Sequence, residues 1–235
     1  MFGLRWRQWF GALPSSVSRL SSWTWLVLAW ALLSAALWLG QQAADALAQA
    51  PLFALLDWQP VLWQSQPWRL WTAALVHWSG AHLLLNLLGC AALIAWGHAA
   101  ALGARQTWAW LVAWPLTQLL LATAPSSLRY GGLSGVLHAG VAIGAWALIW
   151  HGRGQRRMVG VLVLAGMAIK LLLEEPLLAH WLGLGLGVTL PPLPLVGAPG
   201  FGVASYAHFT GTVAGLACAV ALDISLVLRP RRERL

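Results

Sequence analysis

Charge is scarce in this chain, and most of it has one sign. Of the 235 residues 9% are charged, with six Asp and Glu against fourteen Lys and Arg, while 60% are hydrophobic. Soluble domains carry about 25% charged residues, so a water-soluble globular protein is excluded. Cysteine is scarce as well. Cys90 and Cys218 both lie inside apolar runs, which indicates no disulfide framework and no zinc site and makes them small packing residues. A His-Glu-x-x-His pair is missing, and no internal repeat is evident, which argues against an inverted-repeat transporter. The net charge of +8 would suit a nucleic acid, but the arginines cluster beside apolar segments. Membrane topology explains that placement better, so no nucleic-acid partner is expected.

What is present is apolar length. Six runs are expected to cross a bilayer as helices, which takes about 20 residues each. They extend from about Trp23 to Leu39, Trp71 to Ala99, Trp108 to Thr123, Ser134 to Trp150, Val159 to Leu182 and Ala204 to Leu228. Eighteen tryptophans, many near the ends of these runs, suit rings anchored at the membrane interface. Ala48-Gln49-Ala50 imitates a signal cleavage site, but the first run is long and Trp-studded and reads as a retained helix. Gln41 to Pro67, interrupted by Pro51 and Pro60 and free of Lys and Arg, reads as a large interfacial loop. The expected organisation is a basic N-terminus over residues 1–22, a six-helix domain over 23–228 and a basic tail over 229–235. Arg5, Arg7, Arg19, Arg105, Arg153, Arg156, Arg157, Arg229, Arg231, Arg232 and Arg234 then fall on one side, Arg69 and Arg129 on the other, and Lys170 inside a helix. The positive-inside rule puts both termini in the cytoplasm.

With that orientation the second, fourth and sixth runs all start on the outer side. His82 with Asn86, Ser134, and His208 lie near those three starts. At 1.5 Å per residue this places them within roughly 15 Å of the outer interface. Polar residues at membrane depth are functional candidates. His82 and Asn86, four apart, share a helix face, and both can donate to a developing oxyanion. His208, Gly211 and Gly215 also share a face, and the glycines permit close helix approach. If the sixth helix packs on the fourth, His208 can serve Ser134 as general base and then the leaving amine as general acid. No acidic residue is expected to orient His208, because Asp223 is about four turns further along and Asp57 is in a loop; the expected unit is a dyad. Each feature has a plainer reading. Gly132-Leu133-Ser134-Gly135 alone is a helix cap, a lone membrane histidine is a structural hydrogen bonder, and Gly-x-x-x-Gly is packing. Their alignment at one depth on three helices favours chemistry.

These residues also resemble a family. His77-Trp78-Ser79-Gly80-Ala81-His82-Leu83-Leu84-Leu85-Asn86, then Gly132-Leu133-Ser134-Gly135, then Ala207-His208-Phe209-Thr210-Gly211-Thr212-Val213-Ala214-Gly215 resemble the three signatures of rhomboid intramembrane serine proteases. Trp68-Arg69 resembles the family's first-loop motif, and the resemblance covers about residues 60 to 225. It implies an all-α, six-helix bundle in a bacterial inner (cytoplasmic) membrane, acting on single-span membrane proteins near the outer face without cofactor or metal. It also implies Ser134 as nucleophile, His208 as base and an oxyanion hole from His82, Asn86 and the Ser134 backbone N–H. His77 would be a structural histidine. Two departures stand out: His138 replaces a tyrosine four residues after the nucleophile, and His98 replaces a glutamate late in the second helix. Ser-Gly-Val-Leu-His138, with Lys170, Glu174 and Glu175, is similar to rhombosortases, which implies substrates ending in Gly-Gly, an apolar helix and basic residues. What orients His208 stays open: His138 stacks on it, or the site is held less tightly.

Lys170 and Glu174, at i and i+4, most simply neutralise each other at lipid depth. Gly183 to Val203 carries no charge and reads as a lid or a plain connector. Three rival functions remain. One is a general rhomboid protease with other transmembrane substrates. Another is an inactive relative that escorts membrane proteins. The third is a metal or haem site from His77, His82, His138 and His208.

Overall fold

A computed structural model describes residues 20–46, 52–123, 129–174 and 205–227. The basic N-terminal lead-in, Glu175, the Gly183–Val203 loop and the tail from Arg229 lie outside the described residues. The described residues are all-helical: α1 (Ser22–Ala46), α2 (Leu52–Leu56), α3 (Arg69–Thr72), α4 (Gly80–Ala100), α5 (Ala104–Leu120), α6 (Ser134–His151), α7 (Gln155–Glu174) and α8 (Ser205–Val227). Short 3-10 turns cover Ala73–Leu75 and Leu121–Thr123.

Among the described residues four segments are long and apolar enough to cross a membrane: Ser22–Asp45, Gly80–Ala100, Ser134–His151 and Ser205–Ser225. α5 is shorter, 17 residues with Pro115 inside, and α7 carries Arg156, Arg157, Lys170 and Glu174. The exterior is apolar as well. Leu32, Leu88, Val112, Leu162 and Ile224, each on a different helix, are all exposed. Water-soluble monomers rarely present so much apolar surface, so the chain has the character of a membrane protein.

The expected second run is not one helix. It breaks into α3, a 3-10 turn and an extended Val76 before α4 begins. Ser79 causes the restart: its backbone is extended and its hydroxyl accepts from the His82 N–H at 3.1 Å. The proline-interrupted stretch before it is partly helical, since α1 continues to Ala46 and α2 follows.

α6 is the central helix, and its glycines show why. A Cβ on Gly140 would run into the Trp110 ring of α5, one on Gly144 into Trp96 of α4, and one on Gly135 would lie 2.8 Å from the Ala207 carbonyl of α8. α7 approaches the same helix through its own Gly160, against the Ala145 carbonyl. Small residues thus seat indoles of α4 and α5 against the α6 backbone and bring the backbones of α7 and α8 close to it. The tryptophans are not all interfacial. Trp23, Trp30, Trp58 and Trp110 are fully buried, and Trp23 stacks on Trp110 at 4.1 Å while Trp30 meets its edge at 4.7 Å. The Trp23 and Trp110 indole N–H groups donate to the Leu93 and Val136 carbonyls, whereas those of Trp30 and Trp58 are buried without an acceptor among the described residues. Trp25, Trp68, Trp71, Trp108 and Trp150 remain outward.

α4, α6 and α8 run in one direction. Their first turns share one end, where His82 and Asn86 face Gly132 and the ring of His138 meets that of His208. Their last turns share the other, where His151 and Asp223 pair at 3.1 Å and Arg156 donates to the Ala100 carbonyl. Among the described arginines, Arg69 and Arg129 lie at the Ser134 end and Arg105 and Arg156 at the opposite one.

Candidate active site

The site is assembled from a turn and three helix starts. Tyr130 is held by a two-hydrogen-bond bridge to Trp58, and the Gly132 N–H donates to the Ala73 carbonyl at 3.0 Å. Gly132 has φ +130, a conformation open to glycine. Space demands glycine there too, because a Cβ would sit 2.6 Å from His82 Cε1 and 2.8 Å from its Nε2. Leu133 occupies the cap position of α6 without a side-chain bond, and Ser134 is the first helical residue. Its hydroxyl is therefore not a helix cap.

The Tyr130 hydroxyl organises this turn. It donates to the Gly132 carbonyl at 2.5 Å, accepts from the Gly135 N–H at 3.2 Å and lies 3.5 Å from Ser134 Oγ. Tyr130 is buried, and burial pushes its phenol above the usual range, so it stays protonated and able to donate. Its role had no motif to mark it in the sequence. Behind it stands a clamp. Asp57, fully buried, accepts from Arg69 Nη1 at 3.1 Å and from Arg129 Nη2 at 2.5 Å and Nε at 3.0 Å. Arg69 also donates to the Asp57 and Ala54 carbonyls. The two arginines join the segment before α3 to the residue beside Tyr130.

His82 and Asn86 both reach the turn. Asn86 Nδ2 is 3.0 Å from His77 Nε2, and His77 Nδ1 is 3.1 Å from the Leu75 carbonyl. A carbonyl can only accept, so His77 carries its proton on Nδ1 and receives the Asn86 N–H on Nε2. Burial, with His82 nearby, holds the His77 imidazole down to about 3, so it is neutral and a fixed acceptor. One Asn86 N–H is spent on His77; the amide also lies beside Gly132.

α8 supplies the histidine. A Cβ on Gly211 would overlap the Gly135 carbonyl, and one on Gly215 would overlap that of Ala139. Backbone thus meets backbone along α6 and α8, and the buried His208 lies flat on His138, centroids 4.2 Å apart and planes 15° from parallel. His138 is itself fixed, its Nδ1 2.7 Å from the Ser134 carbonyl. Of the two possibilities for His208, stacking on His138 is what occurs. In this conformation Ser134 Oγ shares its hydrogen bond with Tyr130 rather than with His208.

The absence of an acidic neighbour does not hold. Glu174 of α7 places Oε2 2.9 Å from His208 Nδ1, while Lys170 Nζ is 2.5 Å from the same oxygen. The sequence paired Lys170 with Glu174 by spacing alone; that their helix leans on α8 at this point is a matter of packing. Asp223 is engaged elsewhere, with Arg105, His151 and the Trp146 N–H.

Among the described residues no group of three His, Cys, Asp or Glu is arranged to hold a metal ion. The chain matches no protein-family model and no curated protein.

Proposed function

We propose that this protein is an intramembrane serine endopeptidase of the rhomboid type, with six spans once α5 and α7 are counted beside the four long apolar helices. The observation that carries the reading is the α6–α8 contact. Gly135 and Gly211 bring the first turn of α6, with Ser134, against the buried His208. The order and spacing of the rhomboid-like motifs add to it. The charge distribution supports cytoplasmic termini and an active site open to the outer side, and the rhomboid resemblance suggests the bacterial inner membrane as its setting.

Ser134 Oγ attacks the scissile carbonyl, and His208 Nε2 takes its proton because Nδ1 is engaged with Glu174. Ser134 Oγ must turn from Tyr130 towards that nitrogen for the transfer to occur. The oxyanion is met by His82, the Asn86 amide and the Ser134 N–H, one of the first-turn amides that a helix leaves unbonded. Asn86 is aimed by its bond to His77. His208 returns the proton to the leaving amine, and water releases the acyl-enzyme by the same steps in reverse. A helical substrate must unwind to offer its carbonyl, so a Gly-Gly segment ahead of an apolar span suits the site, glycine being a poor helix former. His138, Lys170 and Glu174 favour a rhombosortase-like preference for such C-terminal tails over other transmembrane substrates.

Cleavage of a Gly-Gly-tailed reporter in membranes tests this, with Ser134→Ala and His208→Ala each expected to abolish processing. Wild-type processing by either variant would remove the assignment. Labelling of Ser134 by a fluorophosphonate distinguishes the enzyme from an inactive escort of membrane proteins; absence of labelling in folded protein would favour the escort.

A further inference from the structure

We infer that Glu174 is a positioning residue for His208, so that the working unit is Ser134–His208–Glu174 rather than a serine–histidine dyad. The inference rests on the protease reading for its catalytic meaning, but its structural half stands alone.

A neutral imidazole carries one proton, and only the tautomer with a free Nε2 can serve as base on the Ser134 side. Three groups bear on the choice. Lys170 Nζ lies 3.4 Å from His208 Nδ1 and can only donate, which would favour an unprotonated Nδ1. Glu174 Oε2 lies closer, at 2.9 Å, and as a carboxylate can only accept, which requires a protonated Nδ1. Lys170 has a better acceptor than the ring in that same oxygen at 2.5 Å. All three groups are satisfied only if Oε2 accepts from both Nδ1–H and Nζ–H. The Lys170–Nδ1 separation is then the gap between two donors converging on one oxygen. The nitrogen left with a lone pair is Nε2.

A pair that existed to cancel its own charges would need no third member, since Lys170 and Glu174 are neighbours on one helix turn. Here the carboxylate reaches across to another helix and to a buried ring, whose side chain is 8% exposed against 29% for Glu174 and 42% for Lys170. Lys170, the most exposed, faces outward and keeps the carboxylate ionised and in place. His208 is thereby fixed on two sides, its face by His138 and its edge by Glu174. When His208 takes the serine proton, Glu174 faces the positive charge without being protonated itself, the role of the acid in serine hydrolase triads. Such units are recognised by geometry, not by residue order or fold.

The test is made on the full chain in detergent micelles. Nitrogen-15 spectra of labelled histidine, with His208 identified by its loss in His208→Ala, report the tautomer directly. The wild-type protein is expected to hold His208 with the proton on Nδ1. In Glu174→Gln the neutral amide can offer its oxygen or its NH2, and that preference is expected to be lost. Against the Gly-Gly reporter, Glu174→Gln is expected to lower kcat by about 100-fold or more with KM nearly unchanged, and Glu174→Asp to recover part of the loss. A wild-type spectrum with the proton on Nε2 would overturn the inference without any variant needing to fold. So would wild-type kcat in Glu174→Gln while Ser134→Ala and His208→Ala are inactive. Activity in those last two variants would instead remove the protease reading, and the tautomer would still decide the Glu174 contact.

Discussion

The bundle is tied at each end by one buried aspartate, and the two ties are built differently. At the Ser134 end Asp57 is sealed from solvent and joins stretches of chain outside the long helices: the segment before α3 and the turn that leads into Ser134. Arg69, one of its cations, is as buried as the carboxylate. At the other end Asp223 joins the ends of α5, α6 and α8, yet its partners Arg105 and His151 are each 47% exposed. Irregular backbone at the Ser134 end has no helix ladder to hold it, so ionic and hydrogen bonds must do so. Helices at the basic end are already positioned by glycine contacts and packed indoles. The desolvated tie should therefore be the indispensable one.

The most severe break of this contrast is Asp57→Ala, which strands a buried arginine. Loss of one partner of a buried pair costs about 3–5 kcal/mol. Thermal unfolding in detergent should show the largest fall of any single change considered, with loss of Ser134 labelling before global unfolding. Next comes Gly211→Ala. Its Cβ has no room against the Gly135 carbonyl, so α6 and α8 must separate and carry His208 away from Ser134. A displacement of that kind costs about 100-fold in rate. Gly166→Ala, where a Cβ meets nothing within 4 Å, should leave activity at the wild-type level. Equal effects at the two glycines would contradict the close-contact argument.

Acid probes the Ser134 end through His77. Its folded pKa lies below its unfolded value of 6.5, at about 3, so the neutral form contributes stability that is fully present above pH 6.5. That contribution is lost as pH falls from 6.5 towards 3, at up to about 1.4 kcal/mol per pH unit. Unfolding midpoints measured across this window should fall less steeply for His77→Gln. The smallest effect is expected at the basic end. Asp223→Asn weakens contacts whose partners are half in water, worth about 1 kcal/mol or less. A midpoint shift as large as that of Asp57→Ala would erase the distinction between the two ends.

Much of the architecture was legible in the chain. α6 and α8 begin and end within a residue or two of the apolar runs that announce them, because a long apolar stretch at membrane depth must satisfy its backbone internally. The break before α4 was hidden, since Val76, His77 and Trp78 read on smoothly from the preceding residues while the restart is set by one hydroxyl, that of Ser79. The buried tryptophans were hidden for a similar reason: an indole looks the same in sequence whether a glycine notch on another helix receives it or lipid headgroups do.

By itself the sequence determined the apolar helices, the separation of the arginines into two groups, and the candidates Ser134, His208, His82 and Asn86 at matching ends of three helices. Periodicity and charge count are local or additive properties and survive without coordinates. Only the tertiary structure decided that Tyr130 rather than His208 holds the Ser134 hydroxyl in this conformation, that His138 stacks on His208, and that Glu174 reaches its Nδ1. Each of those contacts depends on the position of a side chain to within about an ångström, and that is set by which glycine lets which helix come close.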